Sequence, residues 1–305
     1  MNILVTDGIS AEGAKILTDA GHTVQQQSYK PEELIARIGE YDCIVVRSAT
    51  KVTREVIDAG KRLKVIARGG VGVDNIDVKH AEAKGIRVLN TPLASAVSVA
   101  ELTIGHMLAV SRYLHVSTAE MRAGKWPKKE YGAGTELYKK TLGIIGLGNI
   151  GKEVARRALG FGMTVLAYDP PFAPMDFIVE ITTKERLLAE SDFITLHVPF
   201  DPALGPALGK KELAMVKKGV IIVNCSRGGV VDQDALLDAL KSGGVGAAAL
   251  DVFTHEPPTA SEQALISHPR VSVSPHIGGS TVEAQQRVGA EIAQKVVKAL
   301  NPDRR

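Results

Sequence analysis

The hexapeptide Gly146-Leu147-Gly148-Asn149-Ile150-Gly151 constrains this chain more than any other stretch. It follows a short apolar run at 142–145 that reads as a strand, and it opens a helical pattern at 150–161. A strand-to-helix turn with glycines at this spacing is the fingerprint of a dinucleotide-binding βαβ unit. Its first glycine permits the tight turn, its second lets backbone approach a pyrophosphate, and its third lets helix and strand pack closely. The helix N-terminus adds unpaired N–H groups and the positive end of a dipole. The next strand, 164–168, ends beside Asp169, whose carboxylate suits a ribose diol. The acid favours NAD over NADP because it repels a 2′-phosphate, and Pro170 and Pro171 follow it without a compensating arginine. Residues 146–152 also fit the start of a P-loop, but Glu153 stands where Ser or Thr would hold magnesium.

The rest of the chain alternates in the same way. Short β-branched runs at 3–6, 22–26, 43–46, 63–67 and 86–89 are separated by helical patterns at 10–19, from Pro31, at 53–59 and at 77–84. A second series has strands at 142–145, 164–168, 193–198, 220–224, 246–251 and 270–274, with helices at 150–161, 232–242 and 261–266. An amphipathic helix at 281–300 closes the chain. Apolar strands joined by helices predict parallel sheets covered on both faces. The 305 residues suffice for about two domains, and both series fit a doubly wound α/β fold. Between them, 95–120 reads as one long apolar helix that needs cover at a domain junction or a subunit interface. Residues 124–140 read as a loop.

Composition excludes several classes. Lys and Arg total 37 against 34 Asp and Glu with no long like-charge block, so no nucleic-acid or membrane partner is expected. Aromatic residues are 4% of the chain, too few for a base-stacking platform. Cys43 and Cys225 form no disulfide framework, which fits a reduced, cytoplasmic setting. No signal peptide and no membrane helix are expected.

Open α/β sheets bind ligands beyond the carboxyl ends of their strands. In the second series the polar residues there are His197, Arg227, Asp251, Glu256 and His276. Arg227, between a strand and Gly228-Gly229, offers a rigid fork for a carboxylate, or else a surface ion pair. His276 precedes Gly278-Gly279 and is the best placed of the eight histidines to exchange a proton near neutrality. A carboxylate such as Glu256 beside it would set its tautomer. His197 also reads as a structural histidine, and His22, His80, His106, His115 and His268 read as structural or solvated. His255-Glu256 begins like a zinc motif, but Pro257 and Pro258 break it. Cys225-Ser226 lacks a nucleophile elbow. In the first series Gly69-Gly70-Val71-Gly72 reads as a tight turn able to bring N–H groups to a small anion.

These segments, with 45–53, 68–77, 90–92, 100–103, 224–231, 249–257 and 275–281, resemble the D-isomer-specific 2-hydroxyacid dehydrogenases along nearly the whole chain. Among them the likeness is to the short-form D-3-phosphoglycerate dehydrogenases. The resemblance implies a Rossmann-type NAD domain, 93–281, inserted in a flavodoxin-like substrate domain made of 1–92 and 282–305. It implies a catalytic set of Arg227, Glu256 and His276. It places NAD against Gly146, Gly148, Asn149, Ile150, Gly151, Asp169, Val198, Pro199, Cys225, Ser226, Arg227, Asp251, His276, Gly278 and Gly279. Asp251 would lie near the nicotinamide amide. Arg47, Ser48, Arg68, Gly69 and Gly70 would face the substrate, and the arginines suit a phosphorylated 2-hydroxy acid. The implied reaction is oxidation of 3-phospho-D-glycerate, with hydroxypyruvate or glyoxylate reduction as the alternative and a non-catalytic dinucleotide sensor as a distant one. A homodimer through 95–120 is implied, and no C-terminal regulatory domain is expected after residue 300.

Overall fold

The computed structural model describes residues 1–169 and 178–301. Pro170, Pro171 and the residues after Asn301 lie outside the described residues. The chain divides into two compact units, Met1–Ala96 with Gly279–Arg305, and Val97–Gly278. The junctions thus fall at 96/97 and 278/279, against 92/93 and 281/282 from the sequence.

The first unit is built on β1 (Asn2–Val5), β2 (Thr23–Gln26), β3 (Cys43–Val46), β4 (Val65–Arg68) and β5 (Arg87–Leu89). All pair in parallel in the order β2-β1-β3-β4-β5, the flavodoxin-like winding. Side chains alternate between the two faces of each strand. Leu4, Ile44, Val46 and Ile66 pack with Leu34, Val56, Ile57 and Ala81 of the helices Pro31–Arg37, Arg54–Ala59 and Val78–Ala83. Ile3, Val5, Cys43, Val45, Val65 and Ala67 pack with Leu17, Ile292, Ala293 and Val296.

That second layer comes from opposite ends of the chain, the helices Ala11–Asp19 and Val282–Leu300. Ser10 caps the first by accepting from Gly13 N at 3.2 Å, and Thr281 caps the second by accepting from Ala284 N at 3.1 Å. The helices meet backbone to backbone. A Cβ on Gly13 would lie 2.5 Å from the Gly289 carbonyl oxygen, and one on Gly289 would strike Ser10.

The second unit carries β6 (Thr141–Ile145), β7 (Thr164–Tyr168), β8 (Glu180–Ile181), β9 (Phe193–Leu196), β10 (Val220–Asn224), β11 (Val245–Leu250) and β12 (Val271–Val273). All are parallel, in the order β12-β11-β10-β9-β6-β7-β8. Counted from β6, this is the 3-2-1-4-5-6 winding of a Rossmann sheet with one further strand. The winding reverses between β6 and β9, where such sheets open a crevice for a ligand. Leu142, Ile144, Val223 and Ala249 face Ile104, Met107, Val154 and Ala155. Ile145, Ile194, Ile222 and Leu250 face Leu187, Leu188, Leu236 and Leu240. No helix of the described residues is long and apolar enough to cross a membrane.

One expectation fails. The segment at 95–120 is two helices, Ala96–Ser111 and Leu114–Arg122, rather than one. Tyr113 takes a left-handed backbone, φ 57°, which an α-helix cannot pass through. Its ring packs on Tyr131 at 5.3 Å between centroids, a contact that a continuing helix would forfeit. The first helix buries Ala100, Ile104 and Met107, whereas the second buries no residue in this chain. The sequence reading also passed over β8 and the helices Lys184–Glu190 and Lys210–Leu213.

Gly13→Ala is expected to destabilise the first unit by about 1–3 kcal/mol through forced separation of the two helices. The denaturation midpoint by circular dichroism checks this, and an unchanged midpoint would show that the crossing yields without cost.

Candidate active site

The turn after β6 has the features a pyrophosphate needs. Gly146 has φ 94°, and a Cβ there would sit 2.6 Å from Val198 and 2.7 Å from the His197 carbonyl oxygen. Gly151 cannot carry a side chain either, because one would strike the Gly146 carbonyl. Gly148 differs, since nothing lies within 4 Å of the place its Cβ would take. That open space adjoins the first turn of the helix Asn149–Gly160, which includes Asn149, Ile150 and Gly151. Asp169, just past β7, accepts from Leu147 N at 2.6 Å and so ties its carboxylate to the loop.

His197 follows β9, and its Nε2 pairs with Thr195 Oγ1 at 3.0 Å. Burial pushes its imidazole pKa down to about 3, so it stays neutral and acts as packing behind the loop. Val198 borders Gly146, and Pro199 is exposed.

At the ends of β10, β11 and β12 the chain assembles a second group. Asn224 organises the first turn: its Oδ1 accepts from Ser226 N at 3.0 Å and Ser226 Oγ at 2.8 Å, and its Nδ2 donates to Arg227 O at 2.8 Å. Arg227 Nη1 donates to Ser226 O at 2.7 Å. Gly228 lies directly on the Phe253 backbone, where no side chain would fit. Cys225 is buried, which pushes its thiol up to about 12 and removes it as a nucleophile at neutral pH.

Glu256 and His276 meet. Glu256 Oε1 accepts from Phe253 N at 3.1 Å, and Oε2 accepts from His276 Nδ1 at 2.5 Å. Burial works to raise the Glu256 pKa, but the His276 bond, the Phe253 amide and the Arg227 charge outweigh it and hold the carboxyl below its ordinary value. With Nδ1 committed to the carboxylate, Nε2 is the imidazole nitrogen left for proton transfer. His276 has φ 52°, an uncommon conformation for a non-glycine residue and one that gathers at functional sites. Asp251 holds that turn. It is 1% exposed, and its carboxylate accepts from Ser274 Oγ at 2.5 Å, Ile277 N at 2.9 Å and Gly278 N at 2.8 Å. The loop bearing Glu256 is pinned by Glu262, which takes His255 Nδ1 at 2.6 Å and Thr259 N at 2.9 Å.

In the first unit, Arg47 and Ser48 follow β3, with Ser48 exposed. Arg68 ends β4 and braces the turn after it, donating to Arg47 O at 3.2 Å and to Gly72 O. In that turn Gly70 O accepts from Thr91 N at 2.9 Å and Val71 O from Asn90 Nδ2 at 2.6 Å. The carbonyls of Gly70, Val71 and Gly72 are thereby engaged, while the amides of the same residues find no acceptor among the described residues. Such a row of amides can take an anion. Gly279 belongs to this unit, and its carbonyl accepts from Gln285 Nε2 at 2.7 Å, whereas Gly278 closes the other unit.

A family model described as "D-isomer specific 2-hydroxyacid dehydrogenase, NAD binding domain" matches residues 104–278. The chain belongs to this family. A hydroxypyruvate reductase of Thermotoga maritima is 50% identical across 97% of both chains. A D-3-phosphoglycerate dehydrogenase of Methanocaldococcus jannaschii is 47% identical over 98% of this chain but 57% of that protein, so the chain spans little more than half of that relative. Among solved structures, a glyoxylate reductase from Paecilomyes thermophila superposes with TM-score 0.90 at 33% identity, covering 98% of this chain and 95% of that one. A D-lactate dehydrogenase from Aquifex aeolicus, complexed with NAD and lactic acid, gives 0.86 at 28% identity, covering 99% and 96%.

As a D-2-hydroxyacid dehydrogenase the chain is an NAD-dependent oxidoreductase. Sequence reasoning passed over the anchoring of the His276 turn by Asp251 and the clamp at Glu262. It also set aside His106, which is buried and hydrogen-bonded to Ser272 and Ser274. The signal was present: Val271-Ser272-Val273-Ser274 alternates, so both serines share one face, and a histidine inside an apolar helix needs polar partners.

Proposed function

We propose that this dehydrogenase oxidises 3-phospho-D-glycerate to 3-phosphohydroxypyruvate. The observation that carries the reading is an open cavity of about 540 Å³ in the first unit. Ser10 and Thr281, the caps of two helices, line it, and Arg47 is the one charged residue in its lining. Arg47 Nε is buried with no hydrogen-bond partner among the described residues, and a cation so placed is costly without a counter-charge. Two helix N-termini and an arginine suit a phosphate dianion. Asp7, in the adjoining cavity of about 280 Å³, has its carboxylate occupied by Arg47 N, Thr50 N and Thr50 Oγ1.

Gly146, Gly148 and Gly151 would hold NAD: the backbone at Gly148 lies open to a pyrophosphate, and the Asp169 carboxylate just past β7 suits the ribose diol. When bound, NAD supplies the hydride acceptor for C2. His276 Nε2 takes the proton of the 2-hydroxyl, and Glu256 stabilises the resulting imidazolium through Nδ1. Arg227 holds the substrate carboxylate and favours charge on the forming carbonyl oxygen. The second reading, hydroxypyruvate reduction, is favoured by the full-length match to the Thermotoga maritima enzyme. The same residues then run in reverse on a substrate without phosphate.

A homodimer accompanies this reading. Leu114, Met121 and Trp126 are 54%, 52% and 75% exposed, and a second copy would cover them. Light scattering is expected to give twice the chain mass of 32.4 kDa, and Leu114→Glu with Met121→Glu is expected to return it to one chain. A wild-type monomer would refute the pairing.

The substrate is tested with a panel of 2-hydroxy and 2-oxo acids with and without a 3-phosphate. Phosphorylated substrates are expected to give the higher kcat/KM, and Arg47→Leu to lower that value about 10- to 100-fold while leaving hydroxypyruvate within about threefold. Faster turnover of hydroxypyruvate by the unaltered enzyme would replace this reading with the second. Asp169→Ala is expected to raise Kd for NAD roughly 10-fold and to relax discrimination against NADP. An unchanged cofactor preference would remove Asp169 from the ribose site.

A further inference from the structure

We propose that His106 is a positioning residue for His276, acting through the chain of hydrogen bonds His106–Ser274–Asp251. The inference rests on the reading of His276 as the proton acceptor, and the second unit alone contains every residue in it.

The chain has a defined direction. His106 lies in the helix Ala96–Ser111 and is 5% exposed. Its Nε2 is 2.8 Å from Ser274 Oγ and its Nδ1 is 3.2 Å from Ser272 Oγ. Ser274 Oγ in turn is 2.5 Å from Asp251 Oδ1. A carboxylate only accepts, so the Ser274 hydroxyl proton points at Asp251. Ser274 can then only accept from His106, which places the histidine proton on Nε2. The Nδ1 lone pair is left to accept from the Ser272 hydroxyl. Burial lowers the His106 pKa, which keeps the ring neutral and preserves this single arrangement.

The far end of the chain is the His276 turn. Asp251 Oδ1 also accepts from Ile277 N at 2.9 Å, Oδ2 accepts from Gly278 N at 2.8 Å, and Asp251 O accepts from His276 N at 2.7 Å. One buried aspartate therefore grips three consecutive amides around the left-handed His276, and His106 orients the hydroxyl that completes its shell. Precise placement of the proton acceptor governs turnover more than ligand affinity. Loss of His106 lets Ser274 turn away and loosens the aim of the imidazole.

The test uses the full chain and any 2-hydroxy acid it oxidises, with kcat referred to folded enzyme, KM, and Kd for NAD measured on each variant. His106→Leu and Ser274→Ala are each expected to lower kcat about 10-fold, with Kd for NAD within twofold. His106→Gln, whose amide can replace the Nε2–H, is expected to recover at least half of the loss. The double variant His106→Leu with Ser274→Ala is expected to match Ser274→Ala alone, because both act through one chain. His276→Ala serves as the reference, with an expected loss of about 10² to 10⁴ in kcat. If His276→Ala keeps turnover, the reading of His276 fails. If it abolishes turnover while His106→Leu and Ser274→Ala keep kcat within twofold, the positioning role alone is overturned. Multiplicative losses in the double variant, or no recovery with His106→Gln, overturn it as well.

Discussion

The buried carboxylate of Asp251 is the contact on which the arrangement of the second unit's reactive end depends. An aspartate removed from water is tolerated only when donors replace its hydration. Here the donors are Ser274, Ile277 and Gly278, and supplying them forces 274–278 into a turn that carries His276 at φ 52°. The cost of desolvating one charge is offset by fixing one loop. The same economy recurs at Glu262, which gathers His255, Thr259 and Ser261 and so restrains the loop that bears Glu256. Two buried acids thus hold the two loops whose side chains meet at 2.5 Å.

The units use a common plan for different ends. Each is a parallel sheet with apolar residues on both faces, and each leaves loops with unspent hydrogen-bonding capacity beyond its strands. In the second unit that capacity is the helix start after Gly148 and the imidazole Nε2 of His276. In the first unit it is a row of amides at 70–72 and the Nε of Arg47. The helix start, the amides and the arginine are donors, as expected of a protein whose ligands are anions, and His276 Nε2 adds the one lone pair among them.

Much of this was legible in the sequence because it is local. The caps Ser10, Asp77, Asp232 and Thr281 mark helix starts with their own side chains. The strands at 43–46, 164–168 and 220–224 match the structure residue for residue. The glycine turn was readable for the same reason, since φ 94° at Gly146 demands glycine whatever surrounds it. Distant partners were not legible. Nothing near Tyr113 breaks a helix by composition; the partners met at the break, the Tyr131 ring and the Thr135 amide on the Ser111 carbonyl, come from farther along the chain. His106 looked like a bland histidine because the serines it serves lie on β12, far along the chain. Arg227, Glu256 and His276 were visible as strand-end residues, with Glu256 a candidate partner for His276, but the bond joining those two needs two distant loops in place.

The helix Val282–Leu300 has a consequence for the order of events during synthesis. It covers Ile3, Val5, Val45 and Val65, which leave the ribosome long before it does. Until the last turns emerge, only the helix Ala11–Asp19 covers that face of the first sheet, and the glycine contact between Gly13 and Gly289 cannot form. The intervening unit has no such wait, because its sheet and both its layers lie within one continuous stretch of chain. It is therefore complete while the first sheet is still open. A growing chain of this design leaves part of an apolar sheet face uncovered for most of its synthesis, and the polar edge strand Thr23–Gln26 then guards one edge of that sheet against pairing with its neighbours.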